Sequence, residues 1–141
     1  MDKKYGVLVK TGQVEANTYA PSSFDLITCF DVIEHIPDFV ETLLRLFSWL
    51  APGGRLILTT PNLESWDRKV FGKHWYGFTK LPQHILYFSP RTIHRTLQKA
   101  GFTDVFTQQW GFVRSLGFPF KVSFPPYIFF PMIDMIAVAK K

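Results

Sequence analysis

Between Phe24 and Asn62 the chain runs, without interruption, through an apolar β-rich stretch, an acidic and histidine-bearing turn, a helical stretch, a Pro-Gly-Gly corner and a second apolar stretch ending Thr-Thr-Pro-Asn. This order constrains the fold more than any other feature. Phe24 to Cys29 predicts a buried strand, and Leu56 to Thr60, apolar on both sides, predicts a parallel strand covered on both faces. Between them, Val40, Leu43, Leu44, Phe47 and Leu50 recur at helical spacing after Asp38 and Glu41, which have the separation of a helix-opening capping pair. Pro52-Gly53-Gly54 predicts the end of that helix, because proline disfavours helix in the residue before it and glycine accepts a left-handed helix end. A strand, helix, strand unit of this kind belongs to an α/β sheet.

Outside this unit the pattern is sparser. Tyr5 to Val9 predicts a strand, followed by a polar loop through Ser23. Ser89-Pro90 reads as an N-cap with proline at the first helical position. Ile93, Leu97 and Ala100 form the inner face of that helix, and Gly101 ends it. Strands are expected at about Val105 to Val113 and Met135 to Ala139. The chain of 141 residues is expected to form one domain, 1–141, around one core.

Composition excludes several functions. The net charge is +5, but Lys and Arg are scattered from Lys3 to Lys141 with no run longer than two, so no nucleic-acid partner is expected. A single cysteine, Cys29, excludes an intrachain disulfide, suits a reducing compartment and reads as a small buried hydrophobe. No signal peptide is recognisable, and a cytoplasmic location is expected. The apolar region Leu116 to Ala139 is broken by Lys121, Asp134 and four prolines, so no transmembrane segment is expected. Its proline-interrupted part, Phe112 to Pro131, suits internal packing, an oligomer contact or a peripheral membrane contact.

Ligands of open parallel sheets bind beyond the carboxyl ends of the strands, which draws attention to the residues after Thr28 and Thr60. On a helical turn Asp31, Glu34 and His35 share one face and could meet one ion or one substrate hydroxyl. Two oxygens and an imidazole suit a divalent cation such as Mg²⁺, Mn²⁺ or Zn²⁺. The plainer reading gives these residues ordinary hydrogen bonds at a helix start. No metal is therefore the expectation, with Asp31, Glu34 and His35 as the alternative ligand set. Histidine titrates near ~6.5 and is the natural proton acceptor at neutral pH; His35 and His84 are the two candidates, the latter also suited to holding its loop. Trp66, Phe71, Trp75, Tyr76 and Phe78 crowd the segment after Thr60, either as an aromatic lid or, in the preferred reading, as a satellite core.

Phe24-Asp25-Leu26-Ile27-Thr28, Val32-Ile33-Glu34-His35-Ile36-Pro37 and Pro52 to Leu58 together resemble the middle of the Rossmann-like S-adenosylmethionine-dependent methyltransferases. Leu81 to Pro90 resembles a Pro-x-His segment found before the penultimate helix in many family members of bacterial glycan and lipid loci. Asp31, Glu34 and His35 match positions where quinone-pathway O-methyltransferases hold an acidic pair and a histidine linked to a divalent metal; other members with the Glu-His pair need none.

The resemblance implies the fold class, a partial Rossmann-like methyltransferase sheet with strands corresponding to 3, 4, 5, 6 and 7 of the family order 3-2-1-4-5-7-6 and flanking helices. It implies S-adenosylmethionine as cofactor, with Gly12, Val14 and Glu15 on its adenine side and Phe30, Asp31 and Val32 as the floor. The implied reaction is methyl transfer to a small-molecule or lipid-linked acceptor, at oxygen. The family's glycine-rich loop lies upstream of this stretch, and no Gly-x-Gly-x-Gly occurs here, so the domain is expected to be N-terminally incomplete and the cofactor site partial. Whether the chain turns over alone is left open. A third strand at Tyr5 to Val9 would stand two strand widths, roughly 10 Å, from the fourth. Either that strand moves across to pair with it, or the exposed edge pairs with another chain. A homodimer or a missing N-terminal partner is therefore expected, or a rearranged edge. A non-catalytic methyltransferase-like subunit acting through such association is the alternative function.

Overall fold

A computed structural model of the chain describes residues 11–16, 18–110 and 134–141. The strand expected at Tyr5 to Val9 and the apolar run Phe112 to Pro131 lie outside the described residues. Four strands form one sheet: β1 (Phe24–Phe30), β2 (Leu50–Pro61), β3 (Thr103–Trp110) and β4 (Asp134–Lys140). Their spatial order is β1-β2-β4-β3, with β1 parallel to β2 and β4 antiparallel to both its neighbours. This is the 4-5-7-6 portion of the order implied by the sequence resemblance.

Helix α1 (Phe39–Trp49) connects β1 to β2, and α4 (Pro90–Lys99) precedes β3; between them lie the short helices α2 (Trp66–Phe71) and α3 (Tyr76–Thr79). The crossover α1 buries Thr42, Leu43, Leu46 and Trp49, whereas Val40 and Leu44 are exposed. Its inner stripe is therefore rotated from the one that apolar spacing alone suggested, because Trp49 and the start of β2 fix which side faces the sheet. Asp38 occupies the N-cap position but makes no side-chain cap bond, and Glu41 pairs with Arg45 one turn on at 2.7 Å. The expected capping pair is thus replaced by an i,i+4 ion pair.

Pro52-Gly53-Gly54 does not terminate α1. Leu50 is already extended and pairs with Phe24, and the next matched pair is Leu26 with Arg55, so the Pro-Gly-Gly sequence forms an irregularity inside β2. Gly53 has φ +80°, and a Cβ on Gly54 would lie 2.9 Å from the Ala51 carbonyl oxygen and 3.2 Å from that of Asp25. The backbone of Lys141 closes the irregularity by exchanging hydrogen bonds with Gly53 and Gly54.

The expected N-cap of α4 is present: Ser89 accepts from the Thr92 amide while the Thr92 hydroxyl accepts from the Ser89 amide. Leu43, Leu56, Leu58, Ile93, Leu97 and Met135 are fully buried in a single cluster that joins α1, β2, α4 and β4. Strand β1 is more open than expected, since only Cys29 is buried and Leu26 and Phe30 are more than half exposed. Among the described residues it has β2 as its one sheet neighbour.

Candidate active site

The carboxyl ends of the parallel strands β1 and β2 lie side by side, with Phe30 paired to Thr59. Two loops emerge there, Asp31 to Asp38 and Asn62 to Ser65. A third segment, Gln83 to Phe88, is stitched against both. The Glu34 carbonyl accepts from the amides of Ile85 and Leu86, each at 3.1 Å, and the Leu63 amide donates to the Phe88 carbonyl at 2.8 Å. Chemistry-bearing residues distant in sequence are therefore held by main-chain bonds at the sheet end where open α/β sheets bind ligands.

Asp31 has φ +52°, and its amide donates to the Thr59 carbonyl and hydroxyl while that hydroxyl donates to its Oδ1 at 2.8 Å. The helical turn begins only at Ile33, as a single 3-10 turn through His35. The face that spacing suggested for Asp31, Glu34 and His35 is thus interrupted by the left-handed residue. Asp31 fastens β1 to β2, and the group that meets Glu34 and His35 is His84 instead.

Glu34, His35 and His84 each bring one potential ligand atom to within 4.8 Å of the others. Glu34 Oε1 lies 3.9 Å from His35 Nε2, and the two imidazoles meet edge to face with centroids 4.9 Å apart. His35 Nδ1 donates to the Gln83 carbonyl at 2.6 Å. A carbonyl can only accept, so this bond places a proton on Nδ1, and in the neutral ring the lone pair is then on Nε2. Glu34 is only 1% exposed and has the Thr60 hydroxyl as its side-chain neighbour, while the buried Nδ1 of His84 has no hydrogen-bond partner among the described residues.

Burial sets the electrostatics. It raises the Glu34 carboxyl above the ordinary glutamate range, opposed by hydrogen bonds from its own main chain and from the Thr60 hydroxyl and, more weakly, by the His35 imidazole. Burial likewise lowers His84, helped by the adjacent His35, while the Gly77 carbonyl opposes the fall. The Cys29 thiol, beneath the same turn, is pushed up to about 11 by burial and by the negative charges of Glu34 and Asp31. It is a buried small side chain and not a nucleophile.

In the loop that follows β2, the buried Asn62 Nδ2 and Ser65 Oγ have no hydrogen-bond partner among the described residues. Sequence reading singled out the strand end but not these side chains. Beyond them, Trp75 is fully buried, donates from Nε1 to Asp67 Oδ2 at 2.8 Å and packs edge-on to Phe78. It lies outside the main core cluster. Trp66 and Phe71 are exposed, so the satellite core is built on Trp75 and Phe78. Val14 to Ala16 forms a short 3-10 turn, with Val14 packed against the core and Gly12 at φ +133°.

A family model described as a methyltransferase domain matches residues 6–106. The chain belongs to the Rossmann-like S-adenosylmethionine-dependent methyltransferase family. A ubiquinone biosynthesis O-methyltransferase of Idiomarina loihiensis is 29% identical over 90 residues, covering 60% of this chain and 37% of that protein. The methyltransferase chain therefore spans under two-fifths of the length of this curated relative. Among solved structures, a SAM-dependent methyltransferase of Thermotoga maritima has a TM-score of 0.72 at 21% identity, covering 96% of this chain and 65% of that one. One from Archaeoglobus fulgidus has a TM-score of 0.66 at 20% identity, covering 94% and 66%. At these identities the likeness is one of fold, and it agrees with the strand order of this methyltransferase sheet.

Proposed function

We propose that the domain takes part in methyl transfer from S-adenosylmethionine to a hydroxyl group of a small-molecule or lipid-linked acceptor. The observation that carries this reading is the convergence of Glu34, His35 and His84 at the carboxyl ends of two parallel strands in a methyltransferase-family sheet. Gly12, Val14 and Glu15 are proposed on the adenine side of the cofactor, and Phe30, Asp31 and Val32 as its floor. Phe30 supports that placement, because it stands at the end of β1 with 55% of its surface free of the core.

The cofactor, when bound, supplies an electrophilic methyl group. The remaining chemistry falls to side chains of this chain. His35 Nε2, the nitrogen not engaged by the Gln83 bond, would accept the proton of the acceptor hydroxyl as that oxygen takes the methyl group. Glu34, at 3.9 Å, stabilises the imidazolium so formed. His84 orients the His35 ring by its edge-to-face contact and is the second candidate base. The buried Asn62 Nδ2 and Ser65 Oγ, unpartnered among the described residues, suit a polar acceptor.

Transfer of radiolabelled methyl from S-adenosylmethionine to a panel of phenolic and polyprenyl-phenolic acceptors tests this. His35→Asn keeps a donor near the Nδ1 position and removes Nε2, and it should lower transfer by roughly 10²- to 10⁴-fold. Transfer unaffected by both His35→Asn and His84→Gln would overturn the assignment of the base.

Association through β1 is a second reading. In the described residues its outer edge carries no strand, and Leu26 and Phe30 are 52% and 55% exposed. Such an edge suits pairing with a second copy or with an N-terminal methyltransferase half.

A further inference from the structure

We propose that the segment joining β2 to α4 is a docking surface for an anionic lipid bilayer. Ten large hydrophobic side chains are exposed among the described residues, and five of them, Trp66, Val70, Phe71, Leu81 and Ile85, lie in this one segment. Trp66 and Val70 stand one turn apart on α2, and they and Leu81 are each more than half exposed. The segment is packed without them. Trp75 is fully buried, donates to Asp67 Oδ2 and meets the rings of Phe78 and Tyr87, while the Tyr87 hydroxyl donates to the Gly77 carbonyl. Apolar side chains presented to water on a packed support mark an interaction surface.

The charge of the same stretch selects the partner. From Ser65 to Ile85 the sequence carries Arg68, Lys69, Lys73 and Lys80 against a single acid, Asp67; the exposed Glu64 lies just outside it. Asp67 is buried and bonded to Trp75, so no carboxylate of the stretch is exposed, whereas Lys69 and Lys73 are. Lysine is depleted at protein interfaces. Trp and Phe beside Lys and Arg are instead the composition of segments that lie in the plane of a lipid headgroup layer. Each such cation near an anionic bilayer strengthens partitioning by about fivefold. Recognition of a nucleic acid would call for rings on which bases stack, and Val70, Leu81 and Ile85 offer none.

The surface adjoins the candidate site. The Gln83 carbonyl accepts from His35 and the Ile85 amide donates to the Glu34 carbonyl, so Leu81 and Ile85 flank the stretch that carries His84. A bilayer seated there brings a lipid-linked acceptor to the His35 side chain, which is 39% exposed. That consequence rests on the methyl-transfer reading, whereas the docking surface itself does not. It is also distinct in sequence from the apolar run Phe112 to Pro131.

Flotation of the full chain with vesicles of phosphatidylcholine, alone or with phosphatidylglycerol added, tests the surface with no cofactor or acceptor present. Binding to the anionic vesicles, weakened by salt, is expected. Lys69→Gln with Lys73→Gln should lower partitioning by roughly 30-fold, while Arg91→Gln with Arg95→Gln, an equal loss of charge on α4, should change it by less than about threefold. Trp66→Ser with Phe71→Ser should lower it by at least about tenfold. All six side chains are exposed, so the variants keep the fold. Absence of vesicle binding, equal binding with and without phosphatidylglycerol, or equal losses from the two charge pairs would each overturn the surface. So would a dimer in sedimentation that Trp66→Ser with Phe71→Ser dissolves while vesicles go unbound, since these side chains would then belong to a protein interface. Because no methyl transfer is measured, failure of the proposed reaction leaves these outcomes unchanged.

Discussion

The Nδ1–H of His35 donates to the carbonyl of Gln83 at 2.6 Å, across 48 residues of sequence. The bond joins the turn after β1 to the segment before α4, and in doing so selects which nitrogen of His35 faces Glu34. The same contact serves structure through one ring nitrogen and frees the other for chemistry.

The division between the two nitrogens can be separated by substitution. Asparagine at position 35 carries an amide donor near the place of Nδ1, so His35→Asn should unfold within about 0.5 kcal/mol of the parent while losing the function of Nε2. His35→Ala removes both and should lose roughly 1 kcal/mol, the worth of a typical hydrogen bond. Urea denaturation of the two variants measures the difference.

The satellite core rests on a buried hydrogen bond. Trp75→Phe keeps most of the ring but deprives Asp67 Oδ2 of its donor, in a residue that is 6% exposed and whose Oδ1 is already unpartnered. Leaving that carboxylate unsatisfied should lower stability by about 1–3 kcal/mol. Trp75→Phe combined with Asp67→Asn should recover part of the loss, as a double-mutant cycle by chemical denaturation would show.

Cys29 provides a pH-dependent test of burial beneath the turn. Its thiol is raised from 9.0 to about 11, chiefly by burial. The unfolded chain releases this proton first as pH rises, so the contribution of the thiol to stability is complete below pH 9 and declines between 9 and about 11. The stability difference between the parent and Cys29→Ala should accordingly shrink from pH 8 to pH 10.5. At pH 8 the native thiol should react with a disulfide reagent far more slowly than the unfolded one.

Much of this architecture is legible in the sequence, because change of period is a strong local signal. The alternation of apolar strand, amphipathic helix and apolar strand from Phe24 to Thr60 appears in the structure in that order, as do the Ser89 cap and the buried Ile93 and Leu97. What was not legible depends on long-range contacts. The Pro-Gly-Gly sequence sits within β2 because Leu50 pairs with Phe24 before it, a contact no local pattern reports. Asp31 leaves the expected face because its left-handed backbone lets Thr59, 28 residues away, bind both its amide and its carboxylate. His84 joins Glu34 and His35 through a loop docked by main-chain bonds, and nothing in the spacing of the three residues announces it.

The most direct measurement is a titration of the isotope-labelled chain with S-adenosylhomocysteine, followed by amide chemical shifts in NMR spectra. If the sheet end bearing His35 is the cofactor end of a methyltransferase domain, saturable shifts should appear at Gly12 to Ala16 and at Phe30 to Val32. They should fade toward the antiparallel pair β3 and β4. Saturable shifts confined to β3 and β4, or none from a folded sample at millimolar ligand, would contradict the proposed placement of the cofactor and of the reaction beside it.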